Sequence, residues 1–128
     1  MQKEAKFYMC EDCCSIMELV EGQGAGDCCS VKLKEIHPNT SEGAGEKHIP
    51  EVEVQGNAVT VRVGSVLHPM VKEHYIGWVA VHTNHGMYRR DFEAGREPET
   101  KFLLEEDETI SAVYAYCNEH GLWERSFQ

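Results

Sequence analysis

The chain has 128 residues, with 12 basic and 22 acidic side chains and a formal net charge of -10, so nucleic acid and anionic membrane surfaces are poor partners for it. That length fits one modest domain, or a minimal domain joined to a somewhat smaller core. No apolar run approaches the roughly 20 residues that span a bilayer, and the polar start Met1-Gln2-Lys3-Glu4-Ala5-Lys6 leads into no signal-like apolar region. The expected location is therefore the cytoplasm, where six cysteines read as metal ligands rather than disulfides.

Five of the six cysteines fall early, at Cys10, Cys13, Cys14, Cys28 and Cys29. Cys10-Glu11-Asp12-Cys13 has the spacing of a metal knuckle, in which two thiolates two residues apart grip one tetrahedral ion. Cys28-Cys29 offers an adjacent second pair. Between them Glu21-Gly22-Gln23-Gly24-Ala25-Gly26-Asp27 cannot pack a core. Such a segment folds when metal binding supplies the free energy, on the order of 10 kcal/mol for thiolate sites. A structural zinc knuckle fits the spacing, and a redox switch fits it less well, because no His or Arg neighbour lowers a thiol pKa. Val31 to Ile36 alternates apolar with charged residues and predicts a strand. His37 to Glu46 is polar and rich in turn residues, which marks a boundary and divides the chain into 1–37 and 38–128.

Beyond the boundary the pattern is persistently β. Val52 and Val54 alternate with Glu51, Glu53 and Gln55. Gly56-Asn57 signals a hairpin, and Val59, Val61 and Val63 follow in alternation. Ile76 to Thr83 is a nearly unbroken apolar run containing Trp78, suited to a central strand buried on both faces. Asn84-His85-Gly86 turns it into Met87 to Phe92, and three more strands are expected at Thr100 to Leu104, Thr109 to Tyr116 and Leu122 to Phe127. No stretch has a helical period. About seven short strands at such spacing predict an antiparallel sandwich or barrel. Trp78, Phe92, Phe102 and Trp123 are expected in its core.

The remaining cysteine sits in Cys117-Asn118-Glu119-His120-Gly121, where a thiol and an imidazole three residues apart, closed by glycine, can reach one ion from a tight turn. His48, His68 and His74 are further candidates at loops and strand ends, and rigid sheets displaying ligands on loops can hold a metal near solvent. Soft sulfur with several imidazoles suits iron, copper or zinc. Five ligands exceed the four that structural zinc takes, so iron with one exchangeable position leads. His37, His82 and His85 are expected to be ordinary surface or half-buried residues.

Glu46-Lys47-His48-Ile49-Pro50, His68-Pro69-Met70 with His74-Tyr75-Ile76 and Trp78, and Cys117-Asn118-Glu119-His120-Gly121 together resemble the superoxide reductase family. With Cys10, Cys13, Cys28 and Cys29 matching the desulforedoxin pattern, nearly the whole chain looks like a desulfoferrodoxin-type, two-iron member. The resemblance implies an all-β protein, with a small desulforedoxin-like metal-binding domain at 1–37 and an immunoglobulin-like antiparallel β-sandwich at 38–128. It implies one iron held by Cys10, Cys13, Cys28 and Cys29. A second iron is expected with His48, His68, His74 and His120 in a plane and Cys117 on the axis.

The implied reaction is one-electron reduction of superoxide to hydrogen peroxide, with a small rubredoxin-like protein as electron donor and a homodimer as the assembly. Lys47 would attract superoxide and Glu46 would approach the oxidised iron. Without the resemblance, a solvated charged loop explains both residues. The family commonly places glycine after the second knuckle cysteine, where the backbone tends to positive φ. Cys14 stands there instead, either as a spectator or in exchange with Cys13 as ligand. Other readings of the same residues are a pure electron carrier and a zinc-stabilised β-sandwich interaction module.

Overall fold

Alternation of valine with polar side chains sends every second residue to the same side of a strand. A computed structural model of the chain builds its larger unit on that pattern. It describes residues 4–24, 26–39 and 45–127, and the side chain of Glu46 falls outside the described set. The chain divides into two compact units, Met1–His37 and Pro38–Gln128.

The smaller unit contains β1 (Phe7–Met9), β2 (Ile16–Glu18), β3 (Asp27–Cys28), β4 (Val31–Lys32) and β5 (Lys34–Ile36). β1 is the middle strand of a sheet ordered β2-β1-β5, antiparallel throughout, and β3 pairs with β4. The expected strand from Val31 to Ile36 is broken at Leu33. The Leu33 N–H donates to the Gly26 carbonyl at 2.9 Å, and its side chain is buried with Tyr8 and Cys10. Met17, Leu19 and Cys28 pack partly buried against these three. So small a cluster cannot offset the chain entropy of the unit, and domains below about 40 residues usually need a metal or disulfides. β1 and β2 are three residues each, too short for a period-2 pattern to register in the sequence.

The larger unit opens with one helical turn, α1 (Gly45–His48), which the sequence pattern does not predict. It continues through β6 (Pro50–Gln55), β7 (Ala58–Val63), β8 (Ile76–Thr83), β9 (Gly86–Asp91), β10 (Glu99–Leu103), β11 (Ile110–Cys117) and β12 (Gly121–Ser126). Two antiparallel sheets form, ordered β10-β7-β6 and β12-β11-β8-β9. Val59, Val61 and Val63 of the first meet Val79, Val81, Val113 and Ala115 of the second in one buried core with Ile76, Phe102 and Leu104. The protein is thus all-β, a small metal-knuckle unit followed by an antiparallel sandwich, with α1 its only helix among the described residues.

Arginines lace both open edges of the sandwich. Arg90 on β9 donates to Thr100 Oγ1 on β10 at 3.0 Å and lies 5.2 Å over the Phe102 ring. Arg125 on β12 donates to the Pro50 carbonyl and to Glu51 Oε2, the latter at 2.8 Å, on β6. Trp78, expected in the core, instead lies half-buried outside it, stacked on the cross-strand Tyr116 ring at 5.8 Å and 8°. His82, expected at or near the surface, is buried, and its Nδ1 shares a hydrogen bond with Ser111 Oγ. No helix among the described residues is long and apolar enough to cross a membrane.

Candidate metal centres

The first centre is built by local turns. Cys10 ends the segment after β1 and is fully buried, while Cys28 and Cys29 lie at the β3–β4 hairpin. The four sulfurs of Cys10, Cys13, Cys28 and Cys29 all lie within 4.8 Å of one another, with Cys13 and Cys28 3.7 Å apart and Cys28 and Cys29 3.8 Å apart. Both turns use the left-handed backbone region, with φ of 63° at Cys14, 53° at Cys29 and 61° at Ser30. The Cys14 N–H donates to the Cys10 carbonyl at 2.7 Å and closes the knuckle.

The thiols perturb each other. Cys13 is drawn down to about 6, first by the Ser15 hydroxyl 3.0 Å away, and Cys28 is pushed up to about 12 by its hydrogen bonds with the Cys10 and Cys13 sulfurs. The sequence reading, which looks for His or Arg, misses this hydroxyl. Four thiolates so close repel strongly, and a cation among them removes the repulsion; the donor set fits a tetrahedral sulfur-ligated ion.

Cys14 is exposed and is not one of the four clustered sulfurs. Its φ of 63° is a conformation in which a β-carbon costs on the order of 1 kcal/mol and glycine costs nothing. Cys14→Gly is therefore expected to keep the visible spectrum of the iron-loaded unit and to raise its resistance to chemical denaturation by about 1 kcal/mol. Absorption-monitored unfolding checks both, and loss of the spectrum would make Cys14 a ligand.

The second centre is assembled at one pole of the sandwich, where β6, β8 and β12 begin and β7 and β11 end. α1 carries His48, the β7–β8 loop carries His68 and His74, β11 ends in Cys117, and the turn into β12 carries His120. That turn is closed by Gly121 at φ 83°, a left-handed position suited to glycine. Donor atoms of His48, His74, Cys117 and His120 lie within 4.8 Å of one another. His68 completes the ring of imidazoles, its centroid 4.7 Å from that of His48 and 4.6 Å from that of His74.

His48, His68 and Cys117 are buried, His74 is half-buried and His120 is exposed, so the cluster opens to solvent on the His74–His120 side. The His68 Nδ1–H donates to the Pro69 carbonyl at 2.7 Å, which fixes the tautomer and leaves Nε2 with its lone pair. Both His68 Nε2 and His74 Nε2 are buried without a hydrogen-bond partner. Orphaned buried nitrogens are costly, and an ion at the centre of the ring satisfies both.

Electrostatics agree with that fit. Burial, helped by the neighbouring imidazoles, lowers His68 to about 4, so its ring is neutral and ready to donate at pH 7. Burial pushes the Cys117 thiol up, while backbone N–H groups of Glu119 and His120 partly oppose it. The thiolate therefore forms together with the incoming cation, and metal affinity rises with pH as that proton is lost.

Trp123 is buried as expected, and it also supports two ligands at once, a role that sequence reading misses. Its ring stacks on His48 at 4.7 Å and 16°, and its Nε1–H donates to the His120 carbonyl at 3.1 Å. Its position three residues after His120 is the one available sequence signal. Lys47 is exposed on α1 beside His48, and the expected contribution of Glu46 lies outside the described residues. His85, expected at or near the surface, is exposed; its Nδ1 meets Glu105 Oε1 at 2.7 Å, which raises its pKa. The adjacent Glu108 already accepts from Thr83, Tyr88 and the Glu105 N–H.

A β-sandwich with four imidazoles and one thiolate at its pole, preceded by a knuckle of four cysteines, defines a metalloprotein whose donor sets are consistent with two iron centres. The desulfoferrodoxin family model matches residues 39–126. A desulfoferrodoxin homolog of Archaeoglobus fulgidus is 38% identical over 125 residues, covering 97% of this chain and 98% of that one. The chain belongs to the desulfoferrodoxin family. Its fold is similar to the superoxide reductase of Treponema pallidum, with a TM-score of 0.79 and 35% identity over 96% of this chain and 98% of that one. The one-iron superoxide reductase of Giardia intestinalis is similar over 65% of this chain and 98% of its own, with a TM-score of 0.56 and 34% identity.

Proposed function

We propose that the chain is a superoxide reductase, catalysing superoxide plus one electron plus two protons to hydrogen peroxide. The observation that carries this reading is the pair of buried, unpartnered nitrogens, His68 Nε2 and His74 Nε2, on adjoining rings, with His74 in one cluster with His48, Cys117 and His120. His48, His68, His74, His120 and Cys117 would hold the catalytic iron, and Cys10, Cys13, Cys28 and Cys29 the other. Bound iron supplies the electron and a Lewis-acid position for the anion.

The chain's own residues do the rest. Four neutral imidazoles and one thiolate leave a ferrous site with a net positive charge, which favours an anionic substrate. Five protein donors would hold the ion and leave it able to take up a substrate anion. The buried Cys117 sulfur, which accepts the His120 N–H at 3.4 Å, would contribute electron density to a bound metal, as the cysteine thiolate does in thiolate-ligated haem. Similarity to named superoxide reductases, one of them a one-iron protein, supports chemistry at the histidine site without the four-cysteine unit.

The test is pulse generation of superoxide over the reduced, iron-loaded protein with peroxide and oxygen both measured. One peroxide per superoxide, without oxygen release, supports the reading. A saturated electron carrier would react slowly, and a zinc-loaded interaction module would be colourless and inert. Within the same proposal, 1–37 is a desulforedoxin-like iron domain, 38–128 is the reductase domain, the electron comes from a small rubredoxin-like protein, and the assembly is a homodimer. Glu46 is assigned by its place in the motif alone, as the residue that approaches the oxidised centre.

Lys47 gives the site a local attraction that the net charge of -10 opposes at long range. An ammonium about 6 Å from the anion changes its encounter rate between about 3-fold in a water-like dielectric and about 100-fold at an effective dielectric near 20. Lys47→Ala is expected to slow the second-order reaction within that range and to flatten its decline with added salt. An unchanged rate and an unchanged salt slope would return Lys47 to the solvated surface.

A further inference from the structure

Asn118 lies between two ligands, one residue after Cys117 and two before His120, and its side chain faces solvent. An asparagine after a strand ordinarily bonds its own turn. Here all three of its hydrogen bonds go instead to the distant loop that carries His74. The Asn118 N–H donates to the Tyr75 carbonyl at 3.2 Å. Its Oδ1 accepts the Tyr75 N–H at 2.9 Å. Its Nδ2 donates to the Glu73 carbonyl at 3.0 Å. One amide thus grips the peptide groups on both sides of His74. The reciprocal Val71–His74 backbone pair at 3.0 and 3.1 Å closes the loop on itself, and the Gly95 N–H donates to the Met70 carbonyl at 2.7 Å; neither tie joins His74 to another ligand.

We propose that Asn118 is the positioning residue that sets His74 against Cys117 and His120, so that the half-buried arm of the ligand ring is held ready before the metal arrives. The inference rests on these residues holding one ion, as argued above. Hydrogen bonds this exposed add little to fold stability, but they remove the freedom of a loop whose histidine must converge with ligands more than 40 residues away in the chain. Groups that orient ligands in this way typically change metal affinity by about 10- to 100-fold when removed.

The experiment is a double-mutant cycle on the full chain, read by competition of ferrous iron between the histidine site and a chelator. Asn118→Ala is expected to weaken iron binding by about 10- to 100-fold in the native background and by less than about 2-fold when His74 is already alanine, because nothing then remains to position. Asn118→Asp keeps the acceptor for Tyr75 N–H but loses the donor to Glu73; it should fall between, and it replaces the alanine form if that does not fold. Equal losses in both backgrounds would make Asn118 a general structural residue and overturn the inference. No loss in the native background would do the same. Wild-type affinity that is unaffected by His74→Ala would overturn the five-ligand reading together with this one, so the two failures are distinguishable.

Discussion

Iron-loaded Cys117→Ser is expected to lose superoxide reduction by at least about 100-fold while the sandwich remains folded, the largest effect at the histidine site. Removing a group that merely orients a ligand costs up to about that factor, and Cys117 is itself a donor. It is fully buried at the end of β11, part of the valine core on one side and of the ligand ring on the other. Burial raises the thiol pKa, so its anion exists there only in company with a cation. Serine keeps the shape, but its hydroxyl stays protonated near neutral pH, and the electron density given by sulfur is lost.

The structural cost of that exchange is modest. A buried hydroxyl with incomplete hydrogen bonding costs about 1–3 kcal/mol on mutational scales, against the 5–15 kcal/mol typical of a domain's stability, and the His120 N–H remains as a donor to the new oxygen. A thermal melt of the apo-protein, set beside peroxide yield after a superoxide pulse, separates the two effects. Wild-type turnover in a variant shown to carry iron would remove Cys117 from its proposed role.

The second large effect is expected at the other centre. Cys29→Ser should abolish the visible absorption of the four-cysteine iron and unfold Met1–His37, while the histidine site still reduces superoxide at the first encounter. Among the described residues the small unit buries only Phe7, Tyr8, Cys10 and Leu33 of its hydrophobic side chains, and it depends on metal binding for free energy on the order of 10 kcal/mol. The sandwich has its own core from both sheets, and no N-terminal thiol belongs to its ligand ring. Hydrogen exchange provides the check: amides of β1, β2 and β5 should lose protection, and those of β7, β8 and β11 should keep it. Loss of the first-encounter reaction, rather than only of slow re-reduction, would mean that the two centres are not separable.

These expectations draw on two kinds of information. Ligands held by a single turn were legible in the sequence, because a few residues of chain decide their geometry: Cys10 with Cys13, Cys28 with Cys29, and Cys117 with His120. The valine alternation through β6 and β7 was legible for a similar reason, since side-chain parity along a strand is a local property. The resemblance to a family then joined these fragments into two ligand sets, which spacing by itself left open. Where local pattern was short or absent, the reading went astray. β1 and β2 were too brief to register, α1 is a single turn, and Leu33 interrupts a strand because its side chain has a core to enter.

What the tertiary structure alone decided is how distant pieces meet. The register of β11 against β8 and β12 brings Cys117 opposite Ile76 and Gly121, so the turn after β11 faces the loop before β8, and Asn118 can reach across to Tyr75 and Glu73. The stack of Trp123 on His48, the orphaned nitrogens of His68 and His74 and the solvent-facing side of the ring have the same origin. Each depends on strand pairing between segments tens of residues apart, and such pairing is set by how the whole core packs, not by any stretch of chain read on its own.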